Sequence, residues 1–143
     1  HSFRLIDAPR EKVWTAFTTP EHVKQWYGGH GFQNPVCEMD VRPGGRWRHV
    51  MRTPDGTDFQ LEFIFVDVVK PERLVWKNAN PSRPGGPPTS VNTVTFVEEN
   101  GRTRWRLVAR FDSIGERDRA VANGFSKVVL QGSDKLQTIA EAL

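Results

Sequence analysis

The sequence predicts an α+β fold in which one curved antiparallel sheet packs against one long C-terminal helix. Three observations carry that expectation. From Ser113 to Leu143 there is no proline, and Phe125, Val128, Val129, Gly132, Leu136, Ile139, Ala140 and Leu143 recur at helical spacing. That is the stripe of a helix with one buried face. Almost everything between Phe32 and Phe111 reads as strands joined by tight turns, the pattern of an antiparallel meander. Five Trp and nine Phe beside a single Tyr then call for either a thick core or an apolar cavity.

The elements follow in order. Phe3-Arg4-Leu5-Ile6 is a short first strand. A helix starts near Pro9, with Asp7 or Ala8 as its cap and Glu11 placed to favour the helix dipole. Val13, Trp14, Ala16 and Phe17 give it a buried side. Thr19 caps a second short helix that has Pro20 at its first position and ends at Trp26-Tyr27-Gly28-Gly29. Phe32 to Val41 is a strand broken by Pro35. Pro43-Gly44-Gly45 supplies the fixed and the positive φ of a turn. In Arg46–Arg52, Trp47, His49 and Met51 share one face, and Arg46, Arg48, Val50 and Arg52 share the other. After a turn at Pro54-Asp55-Gly56, Phe59 to Val69 is a long strand. Its apolar run from Phe63 predicts burial on both sides of part of it. Arg73 to Asn78 is a strand presenting Leu74 and Trp76.

The Pro- and Gly-rich stretch from Asn78 to Ser90 is a loop. Val91 to Val97 is a strand, and Glu98-Glu99-Asn100-Gly101 is a hairpin turn. Arg102 to Phe111 alternates well, with Thr103, Trp105, Leu107, Ala109 and Phe111 on one face. The last helix is capped by Asp112 or Ser113, and Gly124 marks a kink or thin spot within it.

Composition narrows the classes of function. The 143 residues suit a single domain spanning 1–143, long enough to bury a sizeable core without staples. Lone Cys37 excludes an internal disulfide and favours a reducing, cytoplasmic location. No apolar run is long enough to span a membrane. Basic and acidic side chains number 20 and 17, a net charge of +3, too mild to demand a nucleic-acid partner. The outward arginines lack the interleaved aromatics that single-strand binding needs. Cys37 and His30 have no metal-site spacing, no nucleophile elbow is present, and the glycines at 28, 29 and 31 do not open a helix after a strand. No metal, no cofactor and no catalytic residue are therefore assigned. Glu38 and Asp40 share a strand face and read as solvated.

Four motifs occur in a telling order. They are Ala8-Pro9-x-x-x-Val13-Trp14, Trp26-Tyr27-Gly28-Gly29, Asp40-Val41-Arg42-Pro43-Gly44-Gly45-Arg46-Trp47 and Pro71-Glu72-Arg73-Leu74-Val75. Together they resemble bacterial proteins similar to the C-terminal domain of the activator of the heat-shock-protein-90 ATPase. Those proteins are part of the START-like (SRPBCC, helix-grip) superfamily, with the birch-pollen allergen and polyketide cyclases. The resemblance covers essentially the whole chain. It implies a helix-grip fold, with a seven-stranded antiparallel sheet wrapped around the C-terminal helix and two short helices between strands 1 and 2. It also implies a cavity between sheet and helix that takes apolar small molecules in many members. It does not fix one reaction.

The inward positions supply the candidate ligand-binding set: Trp26, Trp47, His49, Met51, Trp76, Trp105, Phe111, Phe125 and Val129. They either line a concave apolar site or fill a core. Gly132 and Met51 make room for a ligand. His49 either meets a ligand, as an orienting group or general base, or bonds a backbone carbonyl or a neighbour such as Glu62 or Asn92. Trp26 and Tyr27 either guard the mouth or plug the short helices onto the sheet. The expected partner is a hydrophobic or aromatic small molecule. A cyclase- or hydrolase-like enzyme using His49 is the second reading, and a chaperone-associated stress-response protein the third. A chaperone partner is not expected, because activation of that ATPase relies on a separate N-terminal domain. A homodimer is left open.

Overall fold

The computed structural model describes residues 2–79, 89–122 and 125–143, and does not describe the side chains of Ser2, Phe125 and Ser126. The strands are β1 (Ser2–Ile6), β2 (Gln33–Met39), β3 (Arg46–Arg52), β4 (Asp58–Val69), β5 (Arg73–Asn78), β6 (Ser90–Glu99) and β7 (Arg102–Phe111). The helices are α1 (Arg10–Thr18) and α2 (Pro20–Trp26), between β1 and β2, then α3 (Ile114–Ala122) and α4 (Phe125–Ala142). The seven strands form one antiparallel sheet in the order β1-β7-β6-β5-β4-β3-β2. The fold is α+β, as the order of elements predicts, and of the helix-grip kind that the resemblance implies.

Alternation sets the inner face. Trp47, Phe63, Phe65, Leu74, Trp76, Val94, Phe96 and Trp105 are all buried, and each sits at an inward position of its strand. Several outward arginines meet carboxylates beside them on the sheet. Arg46 pairs with Glu62, Arg52 with Asp58 at 2.7 Å and Arg73 with Asp67 at 2.8 Å. Such exposed pairs are worth little individually.

Two glycines explain the Arg-Pro-Gly-Gly turn. Gly44 has φ +81°, and its N–H donates to Phe65 O at 2.7 Å. Phe65 N–H donates in return to Gly45 O at 2.9 Å. A Cβ on Gly45 would lie 1.9 Å from Asp40 O, so no larger residue fits. Arg42 Nε donates to Asp40 Oδ2 at 2.7 Å across the same turn.

Several expectations change. The stretch Ser113–Leu143 forms two helices, not one; Gly124 lies outside the described residues. Ser113 Oγ accepts the Glu116 N–H at 3.1 Å, the bond of an N-cap. Only α4 carries a core-facing stripe, because α3 is rich in charge and buries Ala120 alone. Pro9 itself is the N-cap of α1, and neither α1 nor α2 has a side-chain cap bond. β4 is not buried on both sides: Val66 is 49% exposed, at an irregularity where the register with β5 shifts between Phe65 and Asp67. The extra residue there turns an apolar side chain outward. Pro35 does not end β2, whose register with β3 shifts around it.

Candidate functional site

The inner face does not close on α4. Between them lies a hollow of about 570 Å³, inside the roughly 300–1,000 Å³ of ordinary small-molecule sites. Large rings on the middle strands hold the wall open. Trp47 on β3, Trp76 on β5 and Trp105 on β7 form it, with Phe59, Leu61 and Phe63 from β4. On the opposite side, α4 offers Val128, Val129, Gly132, Ser133 and Leu136, too short to reach across.

The rings are fixed by one another. Phe17 of α1 stands at the centre of a cluster, with ring centroids 4.8 Å from Trp26, 5.5 Å from Trp76 and 6.4 Å from Trp105. Trp47 stacks 6.1 Å from Phe65 and lies 5.0 Å from Phe63. Contacts of this geometry add about 0.5–1.5 kcal/mol each beyond burial, so the wall is rigid before anything binds.

Of the candidate set, Trp26, Trp47, Met51, Trp76, Trp105 and Val129 all line the hollow. Phe111, at the end of β7, is not among the lining residues. The Phe125 side chain lies outside the described residues. Trp26 is buried, at 7% exposed. It lines the hollow, yet its indole Nε1–H donates to Ala16 O at 2.8 Å and so ties α2 to α1.

His49 corrects the reading of a histidine on the lining. It is 2% exposed and is not among the residues that line the hollow. Its partners are not Glu62 or Asn92. Trp47 Nε1–H donates to His49 Nδ1 at 3.2 Å. With Nδ1 an acceptor, the proton sits on Nε2, which donates to Asn34 Oδ1 at 2.7 Å. Asn34 Nδ2 in turn donates to Lys24 O at 2.9 Å and Tyr27 O at 3.0 Å. The chain Trp47–His49–Asn34 therefore anchors the end of α2 to the sheet. Burial, helped by the Lys24 charge, pushes the His49 pKa down to about 4, so the ring is neutral at pH 7. Burial also pushes Cys37 up to about 11 and Tyr27 well above the ordinary phenol value.

Gly132, which lines the hollow, also has a second reason for lacking a side chain. A Cβ there would lie 3.0 Å from Trp26 O and 3.1 Å from Gly28 O. Glycine lets α4 approach the loop after α2 closely. Around it, Gln131 Oε1 accepts the His30 N–H at 2.9 Å and Lys135 Nζ donates to Gly29 O at 3.1 Å. The helix thus clasps the loop beside the hollow.

The lining also contains polar groups that the reading of large rings passed over: Asn78, Ser90 and Asn92, grouped where β5 ends and β6 begins. Their signal was present in the alternation. Ser90 and Asn92 occupy the same inward face as Val94 and Phe96, where an apolar residue is the rule. Among the described residues no group of three or more His, Cys, Asp or Glu is placed to hold a metal ion.

A curved antiparallel sheet, gripping a C-terminal helix around a hollow walled by aromatic rings, defines the helix-grip class. Within it, this chain belongs to the family described as Activator of Hsp90 ATPase homolog 1-like protein, whose profile matches residues 7–140. No curated protein matches the chain. Among solved structures, a protein from Nitrosomonas europaea is 25% identical, with 99% of this chain and 92% of that one covered at a TM-score of 0.89. A Rhodobacter sphaeroides protein is 20% identical, covering 99% and 91% with a TM-score of 0.86. A Mycobacterium smegmatis protein is 24% identical, covering 98% and 86% with a TM-score of 0.79. These likenesses extend over nearly the whole chain and concern the fold. Among the described residues, no helix is long and apolar enough to cross a membrane.

Proposed function

We propose that this protein binds an apolar or aromatic small molecule in the hollow between sheet and α4. The observation that carries the reading is a space of about 570 Å³ bounded by Trp47, Trp76 and Trp105. None of its described lining residues carries a charge at pH 7. Apolar contact contributes about 25 cal/mol per Å² buried before the costs of association are met. A wall already fixed by ring-on-ring contact loses little freedom on binding, which keeps those costs low.

His49 does not favour the enzyme reading. A general base needs a free lone pair within reach of the substrate. Both His49 nitrogens are engaged, and the ring stands off the lining.

The test is titration of the full chain with N-phenyl-1-naphthylamine, an uncharged fluorophore, following both its emission and the tryptophan quench. Saturable binding with one site per chain is expected. Val129→Trp, which places an indole in the hollow from the α4 side, should weaken binding at least tenfold while leaving the urea midpoint within reach of the parent. A folded parent protein that quenches no tryptophan and enhances no probe emission would end the proposal.

A further inference from the structure

The Asn78–Ser90–Asn92 group says what kind of molecule the hollow takes. Asn92 is 6% exposed and lines the hollow, with Trp76 beside it on β5 and Ala109 beside it on β7. Its orientation is set from behind. Asn78 Oδ1 accepts the Ser90 N–H at 2.8 Å, and Ser90 Oγ–H donates to Asn92 Oδ1 at 3.3 Å. This leaves the Asn92 Nδ2 amide hydrogens without a partner among the described residues. Trp105, 2% exposed and on the same wall, has a buried indole Nε1–H that is also unpartnered.

A ligand that displaces solvent from the hollow without offering an acceptor to Asn92 Nδ2 would leave that donor unpaired, which is costly. One unpaired donor on the wall, Asn92 Nδ2, with no described lining carboxylate to satisfy it, calls for an acceptor supplied from outside, whereas Trp105 Nε1 is buried out of a ligand's reach. The ligand's charge is constrained too. The described lining holds no Lys, Arg, His, Asp or Glu, and an unpaired charge does not enter such surroundings.

We propose that the hollow selects an uncharged, largely aromatic ligand bearing a carbonyl-type acceptor, which the side-chain amide of Asn92 receives. This inference rests on the binding function proposed above and adds the polarity of the ligand to it.

Three probes of one shape separate the possibilities: 2-acetylnaphthalene, 2-ethylnaphthalene and 2-naphthoate, each titrated calorimetrically into the full chain at pH 7.5. The ketone should bind about five- to tenfold more tightly than the hydrocarbon, the ratio that one hydrogen bond supplies. Naphthoate should bind at least tenfold more weakly than the ketone, because its charge would be buried without a partner. Asn92→Leu should abolish the preference, bringing the ketone-to-hydrocarbon affinity ratio to within twofold of one whatever it does to the affinity the two probes share. Asn92→Ala serves the same purpose if the leucine variant does not fold, with retained hydrocarbon binding as proof of an intact site. Equal binding of ketone and hydrocarbon, a preference that survives loss of the amide, or naphthoate binding as tightly as the ketone would overturn the inference while leaving the binding function standing. If a folded parent takes up none of the three, both fall together.

Discussion

Acidification should weaken this protein through His49, by an amount the structure sets. In the folded chain the ring is buried and neutral, with its pKa pushed down to about 4. In the unfolded chain it titrates near 6.5. Between those values the unfolded state binds more protons than the folded state, so stability falls as pH falls. The contribution is fully present above pH 6.5 and is exhausted below pH 4. The difference in pKa corresponds to about 3 kcal/mol in all. About 1 kcal/mol should be gone at pH 5.5, and between roughly 2 and 3 at pH 4.5.

The assay is urea unfolding, followed by tryptophan fluorescence at pH 7.5, 6.5, 5.5 and 4.5, for the parent and for His49→Gln. Glutamine keeps a hydrogen-bonding amide but cannot titrate. Carboxylates common to both proteins cancel in the comparison. The parent should lose stability over this window faster than the variant by the amounts given. Parallel pH profiles for the two proteins would refute the argument. So would a His49 ring titration by NMR with a midpoint at or above 6.

Two further substitutions probe the backbone contacts that shape the site. Gly45→Ala places a Cβ 1.9 Å from Asp40 O, so the turn must open and the bonds to Phe65 must break. Urea unfolding should show a loss of at least about 3 kcal/mol. Gly44→Ala meets no atom within 4 Å and bears only the strain of φ +81°, about 1–2 kcal/mol; equal losses at the two positions would show the account of the turn to be wrong. Gly132→Ala raises helix propensity by up to about 1 kcal/mol, yet it presses α4 against Trp26 O and Gly28 O. A net loss of about 1–2 kcal/mol is expected, and a gain in the thermal midpoint would contradict the close approach.

The hollow exists because of a mismatch of side-chain size across it. Indole and phenyl rings on the strands keep the sheet's inner face high. Valine, glycine and serine on α4 keep the helix side low, while α1, α2 and β1 hold that helix at its distance. The Trp47–His49–Asn34 chain adds a polar anchor beneath the wall, buried and self-satisfied.

The order of strands and helices, and the inward face of each strand, were legible in the chain itself, because a period of two in β3, β5 and β7 admits only one assignment of faces. The tryptophans of the wall followed from that alternation. What the sequence left open was decided by contacts between residues far apart in the chain. His49 read as a lining residue until its two nitrogens met Trp47 and Asn34, the latter 15 positions away. Gly132 read only as space for a ligand until the helix met the backbone of Trp26 and Gly28. Asn92 read as a candidate partner of His49 until Asn34 took that place and Ser90 took the Asn92 oxygen, leaving its amide nitrogen without a partner among the described residues. Periodicity reports which way a side chain points; it carries no information about what stands opposite, and the chemistry of this site depends on what stands opposite.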